Sequence, residues 1–176
     1  ANHGTRIVYV FETHVHNDFV SGARGLAEQT GCQVGASASG GFLFPSIRLQ
    51  EDDEFNVGEF KIRIIHTPGH TPESVSFMIE EQGQTRAVFT SGALMLGDTA
   101  RAGLLESKIA PFLARWLHNT INEKLLTLPD DVLVYPTHGG GSFCSFATAG
   151  GGEIPTTIAM EHRTNLFAKK LKSPAF

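Results

Sequence analysis

Three stretches of this 176-residue sequence place metal-binding side chains directly after a short apolar run. The first is Thr13-His14-Val15-His16-Asn17-Asp18, which follows Ile7-Val8-Tyr9-Val10-Phe11. In an extended segment, residues two apart point to the same side, so His14, His16 and Asp18 can converge on one point. The second is His66-Thr67-Pro68-Gly69-His70, and the third is Pro136-Thr137-His138. Neutral imidazole and carboxylate are the ligands that zinc and iron(II) take. A hydrolytic zinc site needs about three protein ligands and an open position for water. A non-haem iron site needs two histidines and a carboxylate on one face. His14, His16, His70, His138 and Asp18 are available for either. His3, His118 and His162 read as ordinary core or surface residues, and His66 as a structural member of the His70 loop. The acidic run Glu51-Asp52-Asp53-Glu54 reads as a solvated turn.

The elements that position these residues can be read from periodicity. Ile7–Phe11 predicts a buried strand. A helix follows from Gly22 to Thr30, with Ser21 as N-cap and Gly31 as its terminal glycine. Short strands are expected at Gln33–Ser37, Phe60–Ile65, Ser74–Ile79, Arg86–Thr90 and Val132–Tyr135. The pair around Gln82-Gly83 should be antiparallel. Apolar residues at helical spacing predict one amphipathic helix over Ile109–Leu126 and a closing helix over Thr157–Leu171. Three times, a strand ends in a loop carrying histidine, which is where scaffolds place functional groups.

Composition narrows the class. The length fits one domain spanning 1–176. The net charge of −4, with signs interspersed, gives no footprint for nucleic acid or an anionic membrane. No apolar run reaches the length of a membrane span. Cys32 and Cys144 make no disulfide framework, so a reducing cytoplasm is the expected location. The chain enters a strand almost at once and begins with Ala1 rather than Met, which reads as a fragment of a longer protein.

Four ordered segments resemble the metallo-β-lactamase superfamily. Thr13–Phe19 resembles its T-H-x-H-x-D-H signature. His66–Ser74 is similar to H-T-P-G-H-T-x-x-S, Val88–Leu94 to the F-T-G-D-x-L element, and Tyr135–Gly139 to the last ligand element. The wording is closest to the persulfide dioxygenase and glyoxalase II branch, and closer still to members fused to a rhodanese domain. The resemblance implies an α/β (α+β) fold, an αββα sandwich that here lacks its N-terminal strands, with the metal site at one edge of its two sheets. It also implies a rhodanese domain as a partner in the same chain.

Two departures from the pattern are informative. Phe19 stands where the family has a second-site histidine, and a phenyl ring cannot ligate. Gly92 stands at the aspartate of F-T-G-D, which with the equivalents of His14 and His70 holds iron in the dioxygenase branch. Asp98 can replace it only if its loop remodels. The remaining first-site set is His14, His16 and His70, holding one iron(II) or zinc ion. Asp18 would then orient or deprotonate bound water. His138 would serve as an acid/base group. Arg101 matches an arginine near the thiol-substrate site of the dioxygenase branch, and its guanidinium suits a glutathione carboxylate. The expectation is a mononuclear metal enzyme acting on a glutathione-type persulfide. The alternatives are a zinc-dependent thioester hydrolase of glyoxalase II type, or a non-catalytic module of the same fold with an incomplete metal site. In each case the ligand is a small thiol, persulfide or thioester.

Overall fold

Two sheets stacked face to face carry the histidine loops at one end. The computed structural model describes residues 4–15, 20–104, 107–137 and 155–168. The smaller sheet is parallel, in the order β1 (Tyr9–Phe11), β2 (Gln33–Ser37), β3 (Ile47–Leu49). The larger runs β4 (Glu54–Val57), β5 (Phe60–His66), β6 (Val75–Glu81), β7 (Gln84–Ser91), β8 (Leu133–Pro136), β9 (Thr156–Thr157). Its strands pair antiparallel except for β7 with β8, which are parallel.

Alternation along the strands builds two apolar layers. Ile64, Val75 and Phe77 face Leu49, Phe11 and Ile47 of the small sheet. Val88 and Val134 point the other way, into a cluster with Leu117, Ile121, Leu125 and Ile158. Those last residues come from α2 (Ala110–Asn119), the turns that follow it, and α3 (Ile158–Thr164). Helix α1 (Ala23–Thr30) packs on β1 and β2. The layers are thus helix, sheet, sheet, helix, as the four sequence segments implied. Among the described residues no helix is long and apolar enough to cross a membrane.

Several boundaries depart from expectation. β1 is only Tyr9–Phe11 and half-buried, and Ile7 is exposed. The N-cap of α1 is Gly22, but the Ser21 hydroxyl still accepts from the Ala23 N–H, and Gly31 closes the helix in the left-handed conformation. β3 and β4 escaped the periodicity argument because each is three or four residues long. The helix expected over Ile109–Leu126 is α-helical only to Asn119, then continues as a π turn (Thr120–Lys124) and a 3-10 turn (Leu125–Thr127). The closing helix starts at Ile158 and stops at Thr164, because Asn165 turns extended to bond loop carbonyls. Residues 169–171 of that expectation lie outside the described residues.

Candidate metal centre

The chain leaves β1 and is tied immediately to the opposite sheet. The Val75 N–H donates to the Thr13 carbonyl at 2.8 Å, and the Val15 N–H donates to Glu73 Oε1 at 2.9 Å. His14 sits between these two anchors and is only 2% exposed. Its Nδ1 lies 2.9 Å from both the Thr13 and the Ser91 hydroxyls. Ser91 Oγ is in turn 2.9 Å from Ser74 Oγ. Ser91 has φ +58°, a left-handed conformation that serine rarely adopts. The family element has glycine at this position, so the chain keeps the turn and adds a hydroxyl that contacts His14.

The second loop is built from the inside of the fold. The Thr67 N–H donates to the Ser74 carbonyl and the Gly69 N–H to the Thr71 carbonyl, which closes the loop on itself. The Thr120 hydroxyl, in the π turn, donates to the Pro68 carbonyl at 2.8 Å. Gly69 has φ +146°, and a β-carbon there would lie 2.4 Å from Leu117 Cα. The backbone of α2 therefore rests directly on this loop. His70 emerges 3% exposed, with Nδ1 2.9 Å from the Arg101 carbonyl. A carbonyl only accepts, so Nδ1 carries the proton and the lone pair lies on Nε2. That is the tautomer of a metal-ligating histidine held by a backbone partner.

The two imidazoles meet at a ring-centroid distance of 4.8 Å and an interplanar angle of 77°. Each is buried and has its Nδ1 engaged by protein: His70 by a carbonyl, which fixes its tautomer, and His14 by two hydroxyls, which suit either tautomer. The donor set fits a single ion bound through imidazole. It does not fit a carboxylate from the F-T-G-D position. A β-carbon on Gly92 would lie 2.7 Å from His70 Cδ2 and 2.9 Å from Ala100 Cβ. The His70 ring and Ala100 occupy the space in which such a side chain would begin.

Asp98 stands in a loop held from behind. It is buried in a loop whose carbonyls at Met95 and Asp98 are held by the Asn165 amide, and that amide is also bonded to the buried Glu161. Among the described residues no three histidine, cysteine, aspartate or glutamate side chains gather as a metal site. His16, Asp18, Phe19, His138 and Cys144 lie outside the described residues. Arg101 takes part through its backbone carbonyl, and the residue is exposed at the rim. His66 is structural: its Nε2 lies 3.1 Å from the Pro72 carbonyl. Glu51, expected in a solvated turn, accepts from the His66 N–H and from Lys124, so it braces the back of the same loop.

An apolar cavity of about 280 Å³ lies between the sheets, lined by Phe11, Thr13, Phe77, Phe89, Tyr135 and Thr137 among others. Phe89 and Tyr135 stack there at 5.1 Å. Sequence reasoning missed Ser91, Glu73 and Thr120. Ser91 could have been found from its place at the family's glycine, whereas nothing local marks the other two.

Residues 2–138 match the family described as the metallo-beta-lactamase superfamily. Human mitochondrial persulfide dioxygenase ETHE1 is 31% identical over 137 residues, 77% of this chain and 50% of that protein. A hydroxyacylglutathione hydrolase of Brucella ovis is also 31% identical over 137 residues, 77% of this chain and 49% of that protein. A metallo-beta-lactamase crystal structure from Staphylococcus aureus superposes with TM-score 0.83 at 30% identity, covering 96% of this chain and 51% of the other. The chain spans about half the length of these proteins.

Proposed function

The chain belongs to the metallo-β-lactamase superfamily, and on that premise we propose that it binds one iron(II) or zinc ion through His14, His16 and His70 and acts on a glutathione-type persulfide. The observation that carries this reading is the buried His14–His70 pair, with rings 4.8 Å apart and Nδ1 of His70 committed to the Arg101 carbonyl. Two buried imidazoles held through their Nδ1 atoms support ligation as the reading, since outer partners of this kind orient metal-binding histidines. The persulfide dioxygenase named among the relatives directs the substrate assignment. When bound, the ion supplies a Lewis-acidic position for substrate or small oxygen ligands. Asp18 would orient or deprotonate bound water, His138 would act as a second acid/base group, and Arg101 would hold the glutathione carboxylate.

Two further readings each have their own support. The hydroxyacylglutathione hydrolase relative favours zinc-dependent thioester hydrolysis at the same three histidines. The filled space at Gly92 favours a module that keeps the fold without catalysis. One experiment separates them. The native protein is purified, its iron and zinc are quantified, and oxygen uptake is followed with glutathione persulfide for wild type and His70→Ala. Stoichiometric metal and uptake abolished by His70→Ala support the persulfide reading. Zinc with acyl-glutathione turnover replaces it with the hydrolase. A well-folded protein that takes up neither ion, even when supplied, replaces it with the non-catalytic module.

A further inference from the structure

One carboxylate oxygen joins the two histidine loops. Glu73 Oε1 accepts from the Val15 N–H at 2.9 Å and from the Thr71 hydroxyl at 2.8 Å. Val15 follows His14 directly, and Thr71 follows His70 directly. Each loop therefore contributes one donor to the same atom, one residue beyond its imidazole. The connection is buried: Glu73 is 6% exposed and Thr71 3%. Glu73 forms no ion pair with a described residue, so these hydrogen bonds are what tie it to the two loops.

We propose that Glu73 is the positioning residue of the metal centre, setting the separation of His14 and His70 by pinning the two loops to one oxygen atom. The inference rests on the metal-binding reading above. Its mechanism is geometric. The Val75 N–H to Thr13 carbonyl bond fixes the chain before His14, and the Glu73 bond fixes it after. Without Glu73 the second anchor is lost, and the Val15 N–H and the Thr71 hydroxyl lose a buried acceptor. The segment carrying His14 can then swing about the remaining anchor, and the two Nε2 atoms no longer present one site.

The test compares cobalt(II) and zinc(II) binding by the native protein, stripped of metal and reloaded, with Glu73→Ala, Glu73→Gln and Ser76→Ala. Ser76→Ala removes the buried Thr67–Ser76 hydroxyl pair, a bond of the same size that does not join the two loops. Glu73→Ala is expected to weaken metal binding about 10–100-fold and to shift the visible spectrum of bound cobalt. Glu73→Gln keeps an oxygen acceptor and should bind within about threefold of wild type, the range of an altered but intact outer-shell contact. Ser76→Ala should lower the melting temperature and leave affinity unchanged. If Glu73→Ala does not fold, Glu73→Asp withdraws the oxygen by one methylene and carries the same expectation. Wild-type affinity in Glu73→Ala, or a Gln variant as weak as the Ala variant, overturns the proposal alone. A wild-type protein that binds neither ion overturns it together with the reading on which it rests.

Discussion

A β-carbon on Gly92 would lie 2.7 Å from Cδ2 of His70. Real β-carbons do not approach so closely, so the glycine and the position of the imidazole are two sides of one arrangement. The family's aspartate and this chain's His70 placement exclude each other unless the loop shifts.

Gly92→Ala should therefore destabilise the protein by about 1–3 kcal/mol, as overpacking in a close-packed interior does. It should also weaken zinc binding, because His70 is the neighbour that must move. Thermal unfolding of the metal-free form and zinc titration measure the two effects. An alanine variant with unchanged unfolding and unchanged affinity would mean that the loop around Gly92 yields freely.

Ser91→Gly should separate stability from metal binding. The left-handed φ of +58° costs serine about 1 kcal/mol relative to glycine. The buried hydrogen bonds to His14 and Ser74 return about 1 kcal/mol. The net change in denaturant unfolding should stay within about 1 kcal/mol of zero, the difference of those two terms. Metal affinity should nevertheless fall about tenfold, because His14 loses a hydroxyl that orients its ring. Unchanged affinity would show that Thr13 alone orients His14.

The helix behind the His70 loop can be tested in the same way. Gly69→Ala places a carbon 2.4 Å from Leu117 Cα, in a backbone region that excludes other L-residues. A loss of about 3 kcal/mol or more is expected. Thr120→Val removes only the bond to the Pro68 carbonyl and should cost about 1 kcal/mol. Equal, small effects from both variants would argue against direct support of the loop by the helix backbone.

Metal should stabilise the fold by mass action. Zinc at 100 times its dissociation constant raises unfolding free energy by about 2.7 kcal/mol. His70→Ala should abolish the resulting rise in melting temperature, and His66→Ala should retain it, because the His66 ring bonds the Pro72 carbonyl. A loss of the zinc effect in both variants would move the site to the whole loop rather than to His70.

The residues themselves were legible at each histidine. Apolar runs ending in His14 and His70 marked strand-end loops, and both side chains are buried at the meeting point of the two sheets. The hairpin around Gln82-Gly83 was equally plain from its glycine, whose φ of +76° suits the turn, although Gln82 also takes a positive φ that its residue type seldom adopts. The helix after Ile109 was legible as an apolar stripe, but its passage into a π turn was not. That passage coincides with a single hydrogen bond, from Thr120 to a carbonyl 52 positions away. Local periodicity carries no information about such a partner.

Sequence alone determined the donor types and their order along the chain, because ligand chemistry is a local property, while the sandwich was legible only through the resemblance of the four segments to the family. Only the tertiary structure decided which donors meet. It brought His14 and His70 together from different sheets and filled the Gly92 position with an imidazole. It also placed one oxygen of Glu73 between the two loops. The contact from Val15 to Glu73 spans 58 positions, and all three depend on how strand-end loops from different parts of the chain meet, which no short-range pattern can specify.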